Sequence, residues 1–129
     1  MNLNETLTNT KQYKVPWCID PFIQMSHPAD GFFRVCCIGV VDRTRTDLNT
    51  KNCTPEEFWN SDVSIQIRND MFKPVSEFSD ITKNACAMCI NNTNANIISR
   101  RNIENNRYLS GDTWRDKSLR NVDKHLNGE

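Results

Sequence analysis

The stretch Cys18-Ile19-Asp20-Pro21-Phe22-Ile23-Gln24-Met25-Ser26-His27-Pro28-Ala29-Asp30-Gly31-Phe32-Phe33-Arg34-Val35-Cys36-Cys37 decides the reading of the fold. Residues 22–26 are apolar-rich and extended in character. Residues 27–31 are dense in turn formers, and Asp30-Gly31 offers the positive-φ position that a tight turn needs. Residues 32–37 run back with β-branched and aromatic side chains. The segment therefore reads as a β-hairpin with a thiol at each end, and folding it at Asp30-Gly31 brings Cys18 towards Cys36.

A second thiol pair, Cys86 and Cys89, lies far along the chain in a Cys-x-x-Cys knuckle. A tight turn between two such cysteines points both sulfurs at one place. Two thiols from the hairpin and two from the knuckle make a four-thiolate site. The predicted fold class is α+β: a small β-hairpin followed by short helices around a four-cysteine site.

At 129 residues the chain is one domain at most, with a modest core. Its hydrophobic fraction of 37% and mean hydropathy of −0.66 are low for a fold held by packing alone, and a bound metal or cluster is the natural addition. Lysine plus arginine equals aspartate plus glutamate at 16 each, so the charge balance gives no argument for nucleic acid or an acidic partner. No apolar run reaches membrane-spanning length. Residues 1–6 have neither the basic start nor the apolar core of a signal peptide. Six cysteines without such a signal point to a reducing compartment, the cytoplasm, where thiols are metal-bound or free rather than paired in disulfides.

Residues 1–14 are polar and without periodicity, a loose tail. Pro16 favours an extended approach to Cys18. Trp17, Phe22, Phe32 and Phe33 read as the core of a small sheet that would also shield a cluster from water. Thr54-Pro55-Glu56-Glu57 is a helix start: Thr54 caps, Pro55 suits the first helical position and Glu57 completes a capping box. A second helix is predicted from Asp62, with Val63, Ile67 and Met71 on one stripe. Arg68 stands one residue beyond that stripe, in the place of a surface salt bridge, and Pro74 ends the helix. Residues 75–84 read as a loop. From Ile97 the chain is basic with acids interspersed, which predicts a solvated helix face, and Ile97, Arg101, Glu104 and Tyr108 follow helical spacing. Gly111 marks a stop, and the segment from Asp112 is polar. The only histidines, His27 and His125, stand near no nucleophile pattern, so no catalytic residue is assigned.

On ligand softness alone, four thiolates suit zinc and an iron–sulfur cluster equally. Zinc knuckles usually come as two Cys-x-x-Cys pairs, whereas here only one pair has that form. A cluster is broader than one ion and accepts sulfurs from a wider frame.

Cys18-x12-Gly31-x4-Cys36 followed by Cys86-x2-Cys89 resembles the SPASM/twitch auxiliary-cluster domain of radical SAM proteins. Trp17-Cys18-Ile19-Asp20-Pro21-Phe22 looks like that family's aromatic-Cys-x-x-Pro-aromatic entry, and Asp30-Gly31 with Cys36-Cys37 like its hairpin. Pro55-Glu56-Glu57-Phe58-Trp59-Asn60-Ser61, with the following Arg68 and Met71, is similar to its Glu-Glu-Ile-Trp-Asn-Ser helix. Ile98-Ser99-Arg100-Arg101 is similar to a segment after its knuckle. The resemblance covers a cluster-binding domain over 15–108, between the polar tail over 1–14 and a polar extension over 109–129. It implies one [4Fe–4S] cluster held by Cys18, Cys36, Cys86 and Cys89, with Cys37 and Cys53 spare. Strand alternation supports Cys36 over Cys37. No cysteine follows Cys89, which matches the single-cluster twitch form. The Cys-x3-Cys-x2-Cys motif of a radical SAM core is absent, so the resemblance implies an electron-transfer or substrate-positioning accessory to a core supplied in cis or trans. The alternative is a structural zinc module that binds protein or nucleic acid.

Overall fold

The computed structural model describes residues 16–27, 29–109 and 112–128. Among them run seven α-helices: α1 (Asp20–Ile23), α2 (Pro55–Trp59), α3 (Asp62–Asp70), α4 (Asp80–Ala85), α5 (Ala87–Asn94), α6 (Arg100–Leu109) and α7 (Asp112–Leu126). Short 3₁₀ turns at Thr46–Leu48 and Val75–Glu77 complete the regular structure there. No described helix is long and apolar enough to cross a membrane.

The α+β expectation is overturned: the described residues hold no β-strand. The first limb of the expected hairpin begins as helix α1, because proline in a first helical turn loses only an N–H that has no partner there. The turn itself forms, with Gly31 at φ +80° and Asp30 Oδ1 accepting from Phe32 N at 3.1 Å. One pair of ladder bonds also forms, Ser26 N to Arg34 O at 2.8 Å and Arg34 N to Ser26 O at 2.9 Å. The next pair would join Gln24 to Cys36. Gln24 N is already donated to Asp20 O at 3.0 Å, closing α1, and Cys36 O accepts from Gly39 N at 3.0 Å. Both groups are spent locally, and Phe32 bridges to Asn49 instead. Two isolated bridges take the place of a sheet.

The helix starts follow their local chemistry. Thr54 Oγ1 accepts from Glu57 N at 3.1 Å, and Glu57 Oε1 accepts from Thr54 N at 3.0 Å, the full capping box of α2. Ser61 caps α3 through Ser64 N at 3.3 Å. Ile67 and Met71 are fully buried and Val63 half-buried, as the stripe predicts. Thr54→Ala is expected to lower the melting temperature by the loss of about 1 kcal/mol; calorimetry checks it.

Three local expectations fail. Residues 75–84 are not a loop, since Ser79 caps α4 there. Helix α3 ends at Asp70, before Pro74 is reached. Arg68 is not on the surface: it is buried, donates to Pro21 O and Trp59 O, and stacks 4.8 Å from the Trp59 ring centroid, tying α1, α2 and α3 together.

The core gathers Trp17, Ile19, Phe22, Phe58, Ile67 and Met71 from across the chain. Phe33 stacks on Phe58 with centroids 5.3 Å apart, and Trp17 meets Phe78 edge-on at 5.7 Å. Helix α7 lies against α1 and α6. It buries Val122 and Ser118 and donates Asn121 Nδ2 to Phe22 O at 3.0 Å. The polar composition of 109–129 thus conceals a helix with one packed face. The expectations of a loose tail over 1–14 and of a stop at Gly111 lie outside the described residues, as do Val15 and Pro28.

Candidate metal centre

Cys18 is held by its neighbours' backbones. Trp17 N donates to Met71 O at the end of α3 at 2.8 Å. Asn105, fully buried on α6, donates Nδ2 to Trp17 O at 2.8 Å and accepts Ile19 N on Oδ1 at 2.8 Å. One amide therefore grips the chain on both sides of Cys18. Asn105→Ala is expected to cost about 2 kcal/mol, because it leaves a buried N–H and C=O without partners; chemical denaturation checks it.

Cys36 sits at the start of a tight turn closed by Gly39 N on Cys36 O. The turn is anchored by Val40 N on Ala85 O at 3.1 Å and by Arg34 Nη1 on Gly39 O at 3.0 Å. A Cβ on Gly39 would approach Cys36 O to 3.2 Å, so glycine permits the close approach. Cys37 is exposed, and Cys36 is not. No strand alternates here; the turn leaves Cys36 on the cavity described below and Cys37 outside it.

The knuckle is a helix junction rather than a free turn. Cys86 ends α4 and begins α5, at φ −103° and ψ 14°, and Cys89 lies in the first turn of α5. The positive end of a helix favours thiolate there. Burial opposes it and raises the Cys86 thiol well above its ordinary value.

All four cysteines, Cys18, Cys36, Cys86 and Cys89, line one small cavity with Trp17, Asp20, Arg100 and Arg101 on its walls. The free space of about 20 Å³ is roughly that of one water. Among the described residues no group of three His, Cys, Asp or Glu side chains is arranged to hold a metal ion as it stands. The four thiols share a space without closing on the geometry of one ion. Burial pushes Cys36 up to about 11 and Cys18 well above its usual value, and the charges of Asp20 and the neighbouring thiols add to both shifts. Metal binding here must displace protons.

The cavity wall holds unusual charges. Asp20 is buried, and neither carboxylate oxygen has a hydrogen bond of normal geometry. Burial raises it to about 6, opposed by the nearby Gln24 side chain and Arg100 and reinforced by Glu104. Arg100 pairs with Glu104 at 2.8 Å and lies 3.7 Å from Asp20. Arg101 is 2% exposed, stacks 4.7 Å from the Trp17 centroid, and donates Nη2 to Thr93 Oγ1 at 3.3 Å. Its Nε and Nη1 are buried without a partner.

The solvated face expected for this helix is thereby corrected: Arg101, Glu104 and Asn105 are buried, and they escaped the sequence reading because the inward stripe is polar. Leu109, buried at the same face four residues beyond Asn105, was the available signal. Soft donors, burial and an unmatched cation suit an anionic metal–thiolate group. Cys53 lies away from the cavity, buried before α2, with Sγ donating to Thr54 O at 3.3 Å. No family model matches the chain, and neither the curated proteins nor the solved structures compared with it contain a match.

Proposed function

We propose that the chain is an iron–sulfur accessory module that holds one [4Fe–4S] cluster on Cys18, Cys36, Cys86 and Cys89. It serves electron transfer or substrate positioning for a radical SAM core supplied in cis or trans, in the reducing cytoplasm. The observation that carries the reading is the convergence of four thiols from three separate segments on one small, partly enclosed cavity. The donor set, four thiols of which only one pair has the Cys-x-x-Cys form, favours a cluster, and the cavity must widen to admit it. When bound, the group supplies one-electron chemistry. Trp17 and the core behind it exclude water, Asn105 fixes the backbone around Cys18, and the helix junction sets Cys86 against Cys89.

The zinc reading rests on a different observation, the small free space between the thiols, which suits one ion drawn in by a modest closure. Anaerobic reconstitution with ferrous iron and sulfide, beside loading with Zn²⁺ alone, separates the two. About four irons and four sulfides per chain with broad visible absorbance are expected for the cluster. One zinc and no iron–sulfide uptake would leave a structural module.

A further inference from the structure

We propose that Arg101 is the counter-ion of the metal centre, a buried guanidinium placed to neutralise the charge that four thiolates bring to the cavity. The proposal rests on the four-cysteine centre above and holds for a cluster or for zinc, since four thiolates outweigh the charge of a divalent ion.

Three observations carry it. The first is that Arg101 lines the same cavity as the four cysteines while its side chain is almost wholly enclosed. The second is that it makes no ion pair among the described residues. Its neighbour Arg100 is matched by Glu104 and Asp20, and Glu104 is also within 3.8 Å of Arg107. The third is that two of its N–H-bearing nitrogens have no acceptor, although the rest of the side chain is fixed by Trp17 and Thr93.

A buried charge with no partner is costly, and proteins rarely keep one without a compensating charge. Stacking on Trp17 offsets part of that cost and does not consume the N–H groups. Burial lowers the Arg101 guanidinium, and Cys18 and Cys89, two of the proposed ligands, oppose that lowering when they carry charge. Among the described residues Asp20 is the only carboxylate on the cavity wall, and its neighbour there is Arg100. With the thiols protonated, the guanidinium is unmatched; with a thiolate centre beside it, the same guanidinium is paired.

The two states therefore respond with opposite sign to loss of the charge. In the full chain, Arg101→Met keeps an unbranched apolar contact on Trp17 and removes the cation. The metal-free variant is expected to melt no lower than the wild type. The loaded variant, prepared with Zn²⁺ or with iron and sulfide, is expected to hold metal about 10–100-fold more weakly, the usual effect of losing a group that supports metal ligands, and so to release it faster to a chelator. Arg101→Lys restores part of the retention. The proposal is overturned if metal-free Arg101→Met melts lower by as much as the loaded form, or fails to fold, because the guanidinium then serves the fold alone. Unchanged release from a wild-type-like loaded state overturns it too and leaves the metal centre standing. A wild-type chain that takes up neither metal removes the centre and the counter-ion together.

Discussion

Cys89→Ala is expected to reduce the iron retained after anaerobic reconstitution to background. Cys18→Ala, Cys36→Ala and Cys86→Ala should do the same, because each removes one of the four sulfurs that face the cavity. Cys37→Ala and Cys53→Ala should retain full iron. Cys37 is exposed outside the cavity, and the Cys53 thiol is engaged beside the start of α2. Serine variants run in parallel report weak oxygen ligation, and iron and sulfide per chain are the readout. Loss of iron in Cys37→Ala with retention in Cys36→Ala would mean that the turn from Cys36 to Gly39 presents the other sulfur. Retention in all four cavity variants would end the metal-centre reading. Because burial keeps Cys18, Cys36 and Cys86 in the thiol form, loading releases protons, so uptake is expected to strengthen from about pH 6 to about pH 9.

Asp70→Ala is expected to cost about 3 kcal/mol of stability without removing a ligand. Asp70 closes α3 and is fully buried. Its Oδ2 accepts from Thr82 Oγ1 at 2.6 Å, Ser79 Oγ at 2.7 Å and Ser79 N at 2.9 Å. Its Oδ1 accepts from Gln66 Nε2 at 3.0 Å and Lys73 Nζ at 3.1 Å. This carboxylate ties α3 to the cap of α4, and α4 leads directly into Cys86. Burial alone would raise Asp70, yet these donors outweigh it and hold the carboxyl at about 2.

The folded value lies below the unfolded one, so the stabilisation is complete above the ordinary carboxylate value and is lost as pH falls through about 2. The difference amounts to roughly 2 kcal/mol. Denaturant melts of the metal-free chain between pH 5 and pH 2 should show this loss in the wild type and a flatter profile in Asp70→Asn. Equal acid sensitivity in both would show that other carboxylates govern the acid limb.

The local devices were legible in the residues because their causes are local. The capping box of Thr54 and Glu57, the Asp30-Gly31 turn, the stripe of Ile67 and Met71 and the thiol spacing each depend on a few neighbours in sequence. The four cysteines named from the sequence share one cavity. The loss of the hairpin from Cys18 to Cys37 was local as well: α1 and the Gly39 turn claimed Gln24 N and Cys36 O, a competition that turn and strand preferences do not weigh. Tertiary structure alone decided the rest. Whether the helix after Ile97 faced water turned on α1 and the Trp17 segment, which bury Arg101 and Asn105 on a stripe that hydropathy marks as polar. A residue's preference is set by its own chemistry and near neighbours. The partner that satisfies a buried N–H, C=O or charge comes from residues as far as 88 positions away, and no local pattern specifies it.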